Sequence, residues 1–197
     1  MLYAIAHFLR DRLPFLWNWV DLLNSFLFVL RYGKKMKRIP VILQGYAKDY
    51  KILPMCECST EELTSFFSKQ PEDAYTFFRP HGFDTRSIKK LQRNKAFLAY
   101  LIYHKEGIVG YCFLRSFCHG KGFRGRMVDI HYRGHGLGTL MNKLMNDVGF
   151  SLGLRLFETV SKDNVASYRS ALAASDVKVM EELPHNELYL EIVNQKK

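Results

Sequence analysis

The stretch Arg133-Gly134-His135-Gly136-Leu137-Gly138-Thr139 constrains this chain more than any other. It joins a strand-like run, Arg126-Met127-Val128-Asp129-Ile130-His131, to a helical one, Leu140 to Leu152. A glycine-rich turn that leaves a strand and opens a helix aims unpaired backbone N–H groups, and the positive end of the helix dipole, at one spot. Such a spot binds phosphate. A P-loop would need Lys and then Ser or Thr directly after its last glycine, whereas Gly138 is followed by Thr139 and Leu140. A dinucleotide loop would need Gly-x-Gly-x-x-Gly and a ribose-binding acid further on, whereas the spacing here is Gly134-x-Gly136-x-Gly138.

The flanks extend the pattern. Leu154 to Val160 alternates as a strand does, and Ser161-Lys162-Asp163-Asn164 is turn and N-cap chemistry. Val165 to Ala174 then reads as a short Ala-rich helix. Upstream, Val41 to Leu53 reads as a first strand region with Gly45 as a bend. Thr60 to Ser68 reads as a helix capped at Ser59 or Thr60, and Asp84 caps another to about Arg93. Ala96–Tyr103 and Ile108–Phe117 form a hairpin about Lys105-Glu106-Gly107, and Val177–Leu183 and Glu187–Ile192 form a final one about Pro184-His185-Asn186. The expected order from residue 41 is β-α-α-β-β-β-α-β-α-β-β, an α/β fold.

Arg133, Gly136 and Gly138 read as Arg-x-x-Gly-x-Gly. With Val128 five residues before the Arg and Tyr132 directly before it, the segment closely resembles the acyl-CoA signature of the Gcn5-related N-acetyltransferase (GNAT) superfamily. Asn164 after the following strand, and Ser167 and Arg169 as Ser-x-Arg, are similar to the second half of that family's core. Ser175-Asp176 departs from the usual Gly-Phe. The resemblance runs from about residue 41 to 192 and is strong from Val128 to Ala174.

The resemblance implies a mixed, mostly antiparallel central sheet flanked by helices, with acetyl-CoA or another acyl-CoA as cosubstrate and no metal. It implies that Arg133, Gly134, His135, Gly136, Leu137, Gly138 and Thr139 cradle the diphosphate. Val128 and Ile130 would pair with the pantetheine arm, and Asn164 would reach the thioester region. The reaction implied is direct acyl transfer, most often of acetyl, to the primary amine of a small acceptor. An amino sugar or a membrane-associated amine is the acceptor class in view. Many relatives use a Tyr seven residues after the Asn, but here that position is Ala171. The proton-transfer candidates are therefore His131 at the end of the strand, Glu158 and Tyr168. The aromatic segment Pro71–Phe83, with His81, is either acceptor wall or core. The missing Tyr keeps a second reading open, a non-catalytic acyl-CoA-binding module.

The N-terminal 40 residues stand apart as an extension of a domain spanning 41–197. Met1–Leu30 is strongly apolar, and its polar positions His7, Asp11, Asn18, Asp21 and Ser25 recur at helical spacing, with Pro14 allowing a fresh start. Asn18, Asp21 and Asn24 interrupt every window of the roughly 20 apolar residues a spanning helix needs. Either this amphipathic helix lies in a membrane interface, or it folds onto the body or forms a homodimer. Seven basic residues against two acidic ones in residues 1–40 carry half of the net charge of +10. Arg31 to Arg38 would suit an anionic leaflet through residues 1–38, at roughly 1 kcal/mol per basic residue. No nucleic-acid recognition motif accompanies the charge. Cys56-x-Cys58 lacks the second pair of a zinc site, and Cys112 and Cys118 read as buried thiols. No secretion signal is visible, so the expected compartment is the cytoplasm, with peripheral attachment to its membrane face if the extension meets lipid.

Overall fold

The computed structural model describes residues 14–105 and 107–193, with side chains from residue 18 onward. The stripe residues His7 and Asp11 and the turn residue Glu106 lie outside the described residues.

Two helices come first, α1 (Pro14–Met36) and α2 (Ile39–Tyr46). Then follow β1 (Lys51–Pro54), α3 (Thr60–Ser68), α4 (Thr85–Arg93), β2 (Phe97–His104), β3 (Gly107–Ser116), β4 (Lys121–Val128), α5 (Leu137–Leu152), β5 (Arg155–Ser161), α6 (Val165–Ala174), β6 (Asp176–Leu183) and β7 (Glu187–Val193). From β1 onward this is the expected order. The strands form a seven-stranded sheet, β1-β2-β3-β4-β5-β7-β6, in which every neighbouring pair is antiparallel except β4 and β5.

Both faces of the sheet are covered, which explains why β2 is apolar throughout. Leu98, Tyr100 and Ile102 enter the core beneath α2 and α5, while Phe97, Leu101 and Tyr103 enter the core beneath α3 and α4. Helix α5 places Leu137, Met141, Leu144, Met145, Val148 and Leu152 at three- and four-residue spacing against the sheet. Each such side chain contributes about 1.5–3 kcal/mol by burial. Gly149 lets the helix approach β5, since a Cβ there would stand 2.5 Å from Leu156. The helix ends at Gly153, whose φ of 83° is left-handed, with Leu154 N–H returning to the Gly149 carbonyl at 3.0 Å. The expected caps at Ser59 and Asp84 accept from the backbone N–H groups of Glu62 and Ser87.

Two readings are corrected. Val41–Leu53 is not one strand region. Residues up to Tyr46 continue α2, with Pro40 in its first turn, and only Lys51–Pro54 pair with β2. Ile39, Ile42, Leu43 and Tyr46 are spaced as one helical face and pack against the α5 core. Short apolar runs do not separate strand from helix by pattern alone. The strand before the glycine turn also stops early. β4 ends at Val128, and Ile130–Tyr132 form a single 3-10 turn because Asp129 caps it, its Oδ1 accepting from His131 N–H at 2.9 Å.

Helix α1 carries its polar stripe inward. Asn24 donates to the Ser116 carbonyl (3.0 Å) and accepts from Cys118 N–H (2.9 Å). Ser25 accepts from Lys95 N–H, and Lys90 meets Asn18 and Asp21. Arg31 donates to the Cys118 carbonyl and Lys35 to that of Leu152. Among its described side chains, Phe28 and Tyr32 are the buried apolar residues and Met36 packs partly against the same core, while Trp19, Val20, Leu22, Leu23, Phe26, Val29 and Leu30 are exposed.

Candidate active site

The sheet opens at one place. β4 and β5 pair in parallel only at Lys121↔Arg155, Gly122↔Leu156 and Phe123↔Phe157. Beyond that rung β5 continues along β7 to Ser161↔Glu187, while β4 continues along β3 to Val128↔Gly110. The facing edges of β4 and β5 part, leaving ladder groups open to a ligand. A cleft of about 320 Å³ occupies the gap, lined by Thr76–Arg79, Arg124–Arg126, Glu158–Ser161, Asn164, Ser167 and Glu187.

The glycine turn sits just beyond the open end of β4. Gly134 and Gly136 have φ of 81° and 79°, a left-handed backbone that glycine adopts without strain. Gly136 is the N-cap of α5 and has no side chain to bond the first turn. The first helical bond is Leu140 N–H to the Gly136 carbonyl, at 3.0 Å. The N–H groups of Leu137, Gly138 and Thr139 therefore face out of the helix end, where an anion is stabilised. Leu137, 1% exposed, pins this end to the core. Arg133 and His135 are exposed on the turn. Tyr132 is fixed by its hydroxyl, 3.0 Å from His104 Nδ1.

Across the gap, Asn164 caps α6 by accepting from Ser167 N–H at 3.1 Å, and it lines the cleft. Val128 is the last residue of β4. Ile130 stands in the 3-10 turn, outside any strand, so the pantetheine pairing expected of it has no ladder position. His131 is likewise an exposed turn residue and not a strand end. Tyr168 does not line the cleft and packs against Val160, Leu188 and Leu190.

Glu158 is in the gap, but its carboxylate is held. Its Oε2 accepts from Arg124 Nε at 2.8 Å and lies 3.5 Å from Arg126 Nη1. Arg124 also donates to Asn146 on α5 (2.6 Å), and Arg126 to the Ser167 carbonyl and hydroxyl (2.9 and 3.0 Å). The carboxylate expected to serve in proton transfer thus has one oxygen engaged by two guanidiniums while it lines the cleft. The two arginines were missed in the sequence. Their signal was Arg124-x-Arg126, two cations on one face of a strand whose neighbours are apolar.

The aromatic segment divides. Thr76, Phe77, Phe78 and Arg79 line the cleft, whereas His81 and Phe83 join the core with Phe67, Tyr111 and Phe113. His81 Nδ1 is 2.9 Å from the Gly82 carbonyl, so Nδ1 carries the proton and Nε2 accepts from the Tyr111 hydroxyl at 2.8 Å. Burial pushes its pKa down from 6.5 to about 4. The folded imidazole stays neutral through that window while the unfolded chain takes up a proton. Acidification from pH 6.5 to 4 should therefore cost roughly 3 kcal/mol of stability. Urea midpoints across that range should fall for the wild-type chain and lose this slope in His81→Phe.

No family model matches this sequence, and no curated protein matches it. Solved structures do. The GNAT domain of S. lividans PAT superposes with a TM-score of 0.63 at 11% identity, over 73% of this chain and 89% of that one. Campylobacter jejuni N-acetyltransferase PseH gives 0.56 at 19%, over 75% and 99%, and is also known with acetyl coenzyme A. Aminoglycoside acetyltransferase AAC(6')-Ib in complex with coenzyme A and kanamycin gives 0.56 at 11%, over 74% and 95%. Sheet order, the parted β4 and β5 and these superpositions agree: the chain has the fold of the Gcn5-related N-acetyltransferase superfamily.

Proposed function

We propose that the chain is an acyl-CoA-dependent N-acyltransferase that moves acetyl from acetyl-CoA to the primary amine of a small molecule, an amino sugar being the acceptor class. One juxtaposition carries the reading. An uncapped helix N-terminus suited to a diphosphate stands at the mouth of a gap whose open strand edge suits the amides of a pantetheine arm. Neighbours of the same fold hold coenzyme A or acetyl coenzyme A.

In the reaction the amine nitrogen attacks the thioester carbonyl, the C–N bond forms, the C–S bond breaks and CoA thiolate departs. The amine must first lose a proton. Two carboxylates line the cleft. Glu158 is held by its guanidiniums, and Glu187, at the rung opposite Ser161, makes no side-chain hydrogen bond among the described residues. We assign Glu187 to take that proton, directly or through water. Phe77 and Phe78 offer apolar faces for a sugar ring, and a neighbour with this fold binds kanamycin, an amine-bearing sugar.

The test is thiol release from acetyl-CoA against a panel of amines that includes nucleotide-linked amino sugars, with mass spectrometry of the product. Turnover on a sugar amine is expected, with Glu187→Gln lowering kcat at least tenfold and leaving acetyl-CoA affinity unchanged. Tight acetyl-CoA binding with no turnover on any amine would instead identify a non-catalytic acyl-CoA-binding module.

A further inference from the structure

We propose that the outward face of α1 is a docking surface for an anionic lipid membrane. The helix is turned inside out relative to an ordinary surface helix, which buries its apolar stripe. Here Asn24, Ser25, Arg31 and Lys35 bond backbone groups at the ends of strands and of α5, which locks the rotation of the helix about its axis. That lock leaves Trp19 (68% exposed), Leu22, Leu23, Phe26 (65%), Val29 and Leu30 (75%) on one open face. Large contiguous apolar patches of this kind mark interaction surfaces in soluble domains.

Charge identifies the partner. Lys34, Lys37 and Arg38 are exposed and continue the face at its C-terminal end, where the helix axis meets α2. The acid of this helix, Asp21, is turned inward to Lys90 at 3.4 Å. Among the described residues of α1 the open face therefore offers apolar side chains and cations with no anion. A second copy would bring no carboxylate on this face to meet the cations, whereas phospholipid headgroups supply both the anions and the apolar boundary beneath them. Trp19 has the amphipathic ring that settles at that boundary. No described helix is long and apolar enough to cross a membrane, so the contact is with the interface.

The placement has a consequence for the cleft. α1 touches the C-terminal end of α5 at Leu152, while the phosphate turn is at the N-terminal end. The length of α5, about 24 Å at 1.5 Å per residue, lies between them. The phosphate turn is thus separated from the contact between α1 and α5 by the full length of that helix.

The experiment is flotation of the full-length chain with vesicles of phosphatidylcholine alone and of phosphatidylcholine mixed two to one with phosphatidylglycerol. Light scattering is run on the same samples without lipid. The chain should float with the anionic vesicles at least ten times more than with the neutral ones. Phe26→Gln/Leu30→Gln and, separately, Lys34→Gln/Lys37→Gln/Arg38→Gln should each lower that fraction at least tenfold. All of these positions are exposed, and unchanged melting temperatures confirm that the variants fold. The proposal is overturned if the chain stays unbound, and a dimer that Phe26→Gln/Leu30→Gln dissociates would then name a second copy as the occupant. It is equally overturned if binding ignores the apolar pair or is the same on neutral vesicles.

Discussion

Gly136→Glu should raise the dissociation constant for acetyl-CoA by at least about 100-fold, a change of roughly 2.7 kcal/mol. Two terms add. Position 136 has φ of 79°, and a side chain there strains the backbone by roughly 1–2 kcal/mol. The glutamate also sets a negative charge where the diphosphate is expected, and like charges about 4 Å apart repel by roughly 4 kcal/mol at a surface-like dielectric. A Cβ at this position meets nothing within 4 Å, so the new side chain does not clash with the protein. The melting temperature of the free protein should fall only modestly while its rise on adding acetyl-CoA disappears. Gly136→Ala carries the strain without the charge and should weaken binding severalfold less. Calorimetry on both separates the terms. Unchanged affinity in Gly136→Glu would move the diphosphate away from the start of α5.

The sequence made this corner readable for a physical reason. A left-handed N-cap before an apolar helix can be built from few residue types, so Gly134, Gly136, Gly138 and the periodicity from Leu137 are tightly linked to the geometry. Asp84, Ser59 and Asn164 were legible on the same ground, since each serves a helix N-cap through its own side chain. What was not legible depended on tertiary partners. Ile39–Tyr46 is helical because α5 offers it a surface. The pairing of Glu158 with Arg124 and Arg126 was hidden because the partners are more than thirty residues away in sequence. The rotation of α1 was hidden because a stripe of polar residues in an apolar helix fits two opposite orientations. Strand-end carbonyls and N–H groups decide between them, and no local pattern encodes those.

Glu158→Ala should destabilise the fold by about 3–5 kcal/mol, the usual result of breaking a buried pair from one side. The side chains of Arg124, Glu158 and Arg126 are 0%, 4% and 8% exposed, so alanine leaves two guanidiniums facing each other out of water. Their position gives the loss a functional meaning. The last ladder rung between β4 and β5 is Phe123↔Phe157, and Arg124 and Glu158 are the next residues along each strand. At the first open rung an ion pair replaces the backbone bonds and holds the strands at a fixed separation. Two residues further on, Arg126 reaches from Glu158 to Ser167 and braces α6, the helix that Asn164 caps. The triad thus sets both walls of the gap. Glu158→Gln keeps the shape and an oxygen acceptor, so its urea midpoint should fall by less than that of the alanine variant. Arg124→Met/Arg126→Met/Glu158→Leu removes all three charges, and its stability should return toward the wild-type value, because apolar replacement of a buried ion cluster is often neutral or favourable. Transfer activity should not return with it, since no side chain then spans the open rung or reaches Ser167. A triple variant that is both stable and fully active would show that the parted strands keep their spacing without the cluster, and the role of Arg124, Arg126 and Glu158 would be confined to folding.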